Sequence, residues 1–442
     1  MKKKSICNQL VAMGLVICTA FSFAACGVDE GNKNGTTIDT PVDPNTKDLT
    51  EKWTKDAIYC FTDEVYATEG YDAEKVNKNI TEFGLRVFEE SFKYIEHGSS
   101  NILVSPSSII AALGMTTFGM REDTLKQTEE AFGIGRGYLN YYNSNYLNDL
   151  SAELKIANSI WFTNDDRLTV KDEFLQFNDE FYHADLYETA FDNNTLNSIN
   201  KWVEEKTDGM IKNILDKIPE RAVMYLINAL AFEAEWEKQY KERQLLEDVD
   251  FRASTGEVQK VDMMCSDEYY YLEDDNATGF IKYYKGRKYA FVALLPNQGI
   301  TVEEYAKTLN GGELYDMLAN PIDTLVDAQI PQFSYEYSIQ MNDALKELGI
   351  TDAFDPEKAD FTNMAESIDG NIYISRVIHK TFIDVNPAGT RAGAATVIEL
   401  EDAGYFPQEH KEVHLNRPFL YMIIDCDTLT PVFIGAVNEI NG

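Results

Sequence analysis

Between positions 80 and 95 the apolar residues fall at Ile80, Phe83, Val87, Phe88, Phe92 and Ile95. Steps of three and four place them on one face of a helix, and that face must be covered. Later segments follow another pattern: Tyr225 to Phe232, Tyr289 to Pro296, Phe419 to Cys426 and Pro431 to Val437 are almost wholly apolar. Short runs without polar alternation predict strands buried on both faces, hence a large sheet covered by helices. The last two are predicted to pair across Asp427-Thr428-Leu429-Thr430. No Gly-, Pro- or Ser-rich linker splits residues 73–442, which read as one domain.

The N-terminus is patterned differently. Lys2, Lys3 and Lys4 precede an apolar stretch from Leu10 to Ala20 and then Phe23-Ala24-Ala25-Cys26, the layout of an export signal over residues 1–25. Cys26 after two small residues is similar to the lipobox of bacterial lipoproteins, with Phe23 where that motif usually has Leu. The resemblance implies a lipid anchor on Cys26 and an extracytoplasmic, cell-surface protein; an ordinary signal cut near Ala24 or Ala25 is the alternative. Residues 26–72, polar and punctuated by Gly31-Asn32-Lys33-Asn34-Gly35 and Pro41-Val42-Asp43-Pro44, read as a largely flexible tether.

Charge narrows the functional classes. The 442 residues include 39 Lys+Arg against 74 Asp+Glu, a formal charge of -35, which excludes binding to a nucleic-acid backbone. Of six cysteines, Cys60, Cys265 and Cys426 remain beyond Cys26, too few and too scattered for a disulfide framework or a metal knuckle. There is no G-x-S-x-G, H-E-x-x-H, G-x-x-x-x-G-K or G-x-G-x-x-G. His410 and His414 are four apart but sit among Pro407, Glu409, Lys411 and Glu412, and read as solvated loop histidines. The search for catalytic chemistry thus returns little, and no bound cofactor or metal is expected.

One segment carries more information. From Gly389 to Leu400, alternate residues Thr390, Ala392, Ala394, Thr396, Ile398 and Leu400 are uncharged and begin small, while Arg391 and Glu399 fall on the other parity. A period of two is a strand with one buried face. The same stretch is rich in Gly and Ala and runs into Asp402-Ala403-Gly404-Tyr405-Phe406-Pro407, which reads as an exposed loop. A segment suited to both states suggests a switch; the plainer reading is an alanine-rich connection.

A series of motifs decides between these. Asn101-Ile102-Leu103-Val104-Ser105-Pro106-Ser107-Ser108-Ile109 resembles the serpin N-x-x-x-S-P-x-S-I motif. In chain order follow Ala157-Asn158-Ser159-Ile160-Trp161, Ile199-Asn200-Lys201-Trp202, Ile227-Asn228-Ala229 with Trp236, and Leu294-Leu295-Pro296. Ile330-Pro331-Gln332-Phe333, Val377-Ile378-His379-Lys380, Asn416-Arg417-Pro418-Phe419 and Phe433-Ile434-Gly435 complete them. Each is weak alone; in this order across residues 73–442 they are specific.

The resemblance implies an α+β serpin fold of three β-sheets with eight or nine helices and an exposed reactive-centre loop. It implies a suicide inhibitor of an extracellular serine protease, working as a monomer, whose cleaved loop inserts into the central sheet. Gly389 and Thr390 are then the hinge, with Ala392, Ala394 and Thr396 facing inward and Arg391 outward to solvent. Pro387, lacking an N–H, is expected to end the ladder near Asn386. Ser105, Ser108, Asn228 and His379 match the shutter beneath the parting strands, and Trp236 the breach at their top. Counting thirteen residues from Thr390 places the scissile bond at Ala403-Gly404, which suits an elastase-like or subtilisin-like enzyme; Tyr405-Phe406, suiting a chymotrypsin-like one, is the alternative. Between Thr124 and Leu150 the only basic residues are Lys126 and Arg136, so heparin activation is not expected. A non-inhibitory serpin, acting as a binding or chaperone-like surface protein, is the second class.

Overall fold

The computed structural model describes residues 46–50, 64–94, 101–391 and 410–440. Helix α1 (Ala73–Ser91) begins where the Asp72 carboxylate accepts from the Lys75 N–H, and it buries Val76, Ile80, Phe83, Val87 and Phe88, the stripe its periodicity requires. Helix α2 (Pro106–Thr117) starts from the Ser105 side chain with Pro106 in its first turn and is buried nearly all round. It therefore forms the spine between two layers of sheet. Helix α3 (Asn193–Lys206), capped by Asp192, buries Thr195, Ile199, Trp202 and Val203. With Ile211 and Leu215 these residues form a second apolar cluster, over the outer face of the central strands.

Those strands come in two groups. Strand β1 (Lys47–Asp48) pairs with β3 (Ala184–Thr189), which runs parallel to β2 (Leu154–Thr163); β2 in turn pairs antiparallel with β4 (Met224–Phe232). The other group holds β5 (Ala234–Glu235), β6 (Phe333–Gln340), β7 (Ile378–Asn386) and β8 (Gly389–Thr390), in the order β6-β7-β8-β5. No pairing joins β4 to β7. Among the described residues the central sheet is thus parted down its middle and bridged at one end by β8. Consequently Met224, Tyr225, Leu226 and Asn228 are only half-buried, although the apolar run predicted a strand covered on both faces.

The remaining large sheet has nine strands, with Tyr289–Pro296, Phe419–Asp425 and Pro431–Val437 at its fully buried centre. Strand Val258–Glu273 pairs along different parts of its length with three neighbours, which fuses two sheets into one ladder. Gly435 is required there, because a Cβ would lie 2.4 Å from the ring of Tyr421. The described residues contain nine α-helices, so the architecture is the α+β one expected.

Two expectations need amending. Residues 26–72 were set aside as a tether, yet β1 extends the edge of the central sheet and the Leu49 N–H donates to the Leu186 carbonyl. Val65 is buried and Tyr66 stacks on Phe181, so these parts of the segment are tied to the body. His410 and His414 are not in a loop. They delimit strand β9 (His410–His414), parallel to Leu325–Gln329, with His414 Nε2 3.3 Å from an Asp327 carboxylate oxygen. Ladder bonds to a neighbouring strand supply what the polar sequence itself does not signal.

Candidate functional site

The bridge between the two halves is built from a tight turn. After Asn386 the chain reverses through Pro387 and Ala388, and the Asn386 side-chain oxygen accepts from the N–H groups of Ala388 (3.0 Å) and Gly389 (3.3 Å). Asparagine before proline suits this turn, one capping it and the other fixing φ. Strand β7 does end at Asn386, but the ladder resumes at once. Gly389 and Thr390 pair with Asn386 and Val385 on one side and with Glu235 and Ala234 on the other. The missing proline N–H costs no ladder bond because Pro387 lies in the turn between the paired residues; its carbonyl accepts from Tyr240 N–H and that of Ala388 from Trp236 N–H.

Thr390 is buried, with its hydroxyl 2.5 Å from the Tyr284 hydroxyl. Tyr284 stacks on Trp236 at 4.5 Å between centroids, and the Trp236 indole N–H donates to the Asn386 carbonyl at 2.9 Å. Behind them lies a buried cation, Lys282, whose Nζ is 2.7 Å from Glu268 and over the rings of Tyr240 and Trp236. Burial alone would depress the lysine pKa; Tyr240 and Glu268 more than offset that and hold it above its usual value. Trp236 thus lies beside β8 at the bridged end of the sheet; Tyr284 and Lys282 were not singled out from sequence, and Asn386 was marked only as the end of the ladder. Only Asn386, beside Pro387, carried a local signal.

Arg391 follows with φ +47°. Its N–H donates to the Asp384 carbonyl, and its guanidinium reaches the carbonyls of Asp208 (2.7 Å) and Thr207 (3.4 Å) just beyond α3. The side chain does point to the outer face, as its parity requires. It is bound there to the end of a helix, not free in solvent.

Below β8 a cleft of ≈ 810 Å³ separates β4 from β7. Its floor includes Ser108, Ile109 and Leu113 of α2. The Ser105 side chain accepts from Ser108 N–H, and Ser105 N–H donates to His379 Nε2 at 3.0 Å. An accepting Nε2 puts the proton of the neutral ring on Nδ1. Burial pushes the His379 pKa down to about 4, so the ring is neutral at physiological pH. On the facing strand Asn228 donates from Nδ2 to Asn158 Oδ1 at 2.9 Å, while Asn228 Oδ1 is buried with no partner. Asn158, unassigned from sequence, is anchored by its own bond to the Tyr182 carbonyl. Ser105, Ser108, Asn228 and His379 thus meet around one gap.

The faces of the two rims are set by alternation. Tyr225, Ile227, Ala229 and Ala231 of β4 and Ile378 and Phe382 of β7 join the cluster under α3. Leu230 and Phe232, with Ile383 and Val385, join the main core. Ala392, Ala394, Thr396, Ala403, Gly404, Tyr405, Phe406 and Cys26 lie outside the described residues. Cys265 and Cys426 are both free thiols, so they do not bridge each other.

Comparison with known proteins agrees with this geometry. Residues 78–440 match the family model described as Serpin (serine protease inhibitor). Human Serpin B12 is 30% identical over 404 residues, covering 81% of this chain and 97% of that protein. The native-state structure of the thermophilic serpin Tengpin superposes with a TM-score of 0.80 at 43% identity, covering 90% of this chain and 100% of that one. Thyroxine-binding globulin in complex with thyroxine shares the fold at 23% identity, with a TM-score of 0.71, 83% of this chain and 100% of that one covered. A parted central sheet, a two-residue strand bridging it at one end and a family match spanning residues 78–440 lead to one conclusion: the chain belongs to the serpin family.

Proposed function

We propose that this serpin is a suicide-substrate inhibitor of an extracellular serine protease of elastase-like or subtilisin-like specificity. The observation that carries the reading is the cleft with β8 already paired at its top. Continuing both registers of β8 one residue at a time sets Ala392 between Phe232 and Ile383, Ala394 between Leu230 and Thr381, and Thr396 between Asn228 and His379. Every inward position is then small or able to hydrogen-bond, and Thr396 arrives beside the unpartnered Asn228 oxygen. In the proposed reaction a protease serine attacks the carbonyl of Ala403, the Gly404 amine leaves, and the freed strand enters before water cleaves the ester. Inserting it adds antiparallel pairing along both rims, which supplies the driving force.

Outside this step the chain's chemistry is passive: it binds no cofactor and works as a monomer. An acylated Cys26 holds it at the cell surface. Lys126 faces Glu130 at 3.9 Å, and Arg136 donates to the carbonyls of Glu64 and Thr117. Both basic residues between Thr124 and Leu150 are thus already engaged, which supports the expectation of no heparin activation.

The test is incubation of the mature protein with elastase, subtilisin and chymotrypsin. An SDS-stable complex with one of the first two, and a released C-terminal fragment beginning at Gly404, is the expected result. A fragment beginning at Phe406 moves the bond to Tyr405 and the target to a chymotrypsin-like enzyme. Rapid cleavage with no complex overturns inhibition and leaves a binding role.

A further inference from the structure

The buried ion pair behind the Asn386–Thr390 turn fills a break between two ladders. Along one edge, strand Val258–Glu273 pairs with Ala277–Tyr283 from Glu273 as far as Tyr270, and with Leu245–Arg252 from Met264 onward. Among the described residues no strand covers that edge in between, at 265–269. Side chains close it instead. Gln244 Nε2 donates to the Cys265 carbonyl at 3.1 Å, and the Ser266 hydroxyl lies 3.2 Å from that of Tyr240. Lys282, one residue beyond the last pair of its ladder, donates from Nζ to Glu268 Oε1 at 2.7 Å, and Ser266 donates to the same oxygen at 2.7 Å.

Taking a lysine and a glutamate out of water is costly, and two well-packed apolar side chains in their place are often as stable or more so. The neighbours of the pair give it a use. Lys282 is buried, with its Nζ 4.5 Å from the centroid of the Tyr240 ring and 5.4 Å from that of Trp236. Those two residues carry the turn. Tyr240 N–H donates to the Pro387 carbonyl at 3.1 Å, Trp236 N–H to that of Ala388 at 3.0 Å, and the Trp236 indole N–H to that of Asn386 at 2.9 Å. Three consecutive carbonyls are thus held by donors from two residues, and the rings of both rest on one cation. A cation pinned by a carboxylate attracts each ring to a fixed point, which an apolar filler does not do.

We propose that Lys282 and Glu268 are positioning residues: their ion pair fixes the Trp236 and Tyr240 rings, and through them holds the Asn386–Thr390 turn beside β5. The inference concerns the uncleaved protein and stands whether or not that protein inhibits a protease.

The test separates positioning from filling. Lys282→Met/Glu268→Leu replaces both charges by apolar groups of similar size and should keep the wild-type urea midpoint. Hydrogen–deuterium exchange, followed by mass spectrometry in peptides covering 234–241 and 385–391, should nonetheless speed up about tenfold. Exchange in 154–163, within the distant β2–β4 pairing, is the reference and should stay as in the wild type. Glu268→Gln keeps an acceptor for Lys282 and Ser266 while removing the charge, and should fall between the wild type and the double variant in both local peptides. Should the double variant fail to fold, Glu268→Gln decides by the same ratio of local to distant exchange. Local exchange at the wild-type rate, or a rise no larger than that at 154–163, overturns positioning and leaves the pair as filling for the break.

Discussion

The Tyr284 hydroxyl lies 2.5 Å from the hydroxyl of Thr390, so the last residue of β8 is held inside the sheet while the cleft below it is open. On the mechanism proposed above, one end of the incoming strand would thus be paired on both sides beforehand, and insertion would extend a ladder, not nucleate one.

This contact gives the first prediction. Tyr284→Phe keeps the stack on Trp236 and removes only the hydroxyl, at a cost of about 1 kcal/mol. Amide exchange at Gly389 through Arg391 should speed up about fivefold, with little change in the β2–β4 pairing. Unaltered exchange at the hinge would show that Thr390 is seated by its backbone alone.

The second concerns parity. In the proposed inserted state, the register of β8 continued along both rims puts position 394 between Leu230 and Thr381, on the packed face. Ala394→Glu would bury an unpaired carboxylate, costing several kcal/mol and slowing insertion until the ester hydrolyses. Titration against the target protease should show cleavage at the normal rate with at least tenfold more inhibitor consumed per enzyme trapped.

Arg391 offers a contrasting variant. Its guanidinium binds the carbonyls of Thr207 and Asp208, so Arg391→Glu replaces two donors by an anion beside Asp208. Amides at the end of α3 should exchange faster and thermal stability should fall by about 1 kcal/mol, whereas the stoichiometry of inhibition should hold because the side chain faces outward. Loss of inhibition with an undisturbed helix would contradict this division.

His379 predicts a pH dependence. Its folded pKa of about 4 lies below the ordinary 6.5, so between these values the unfolded chain binds the extra proton. Stability present above about pH 6.5 is lost as pH falls toward 4, by at most about 3 kcal/mol from this group. Urea unfolding across that window should show a slope for the wild type that His379→Gln flattens. Equal slopes would place the titration elsewhere.

Much of this protein follows from local pattern. The strands Tyr289–Pro296 and Pro431–Val437 and the stripe on α1 were legible because burial on one or both faces leaves a period in the sequence itself. The outward parity of Arg391 was legible for the same reason, and the order of short motifs was enough to indicate the family. What the sequence could not contain is the partner of each group. Tyr284 and Thr390 are 106 positions apart, and no local period links them. Asn386 and Pro387 read as an interruption until the Asn386 side chain, with Trp236 and Tyr240, turned the interruption into a seat for β8. His410 to His414 became a strand only because Leu325–Gln329 offered a parallel edge. The open cleft is the clearest case. Its rims are strands whose sequences ask for neighbours on both sides, and only the packing of α2 below and α3 above, with β8 between them at one end, decides that the sheet stays open at this one place.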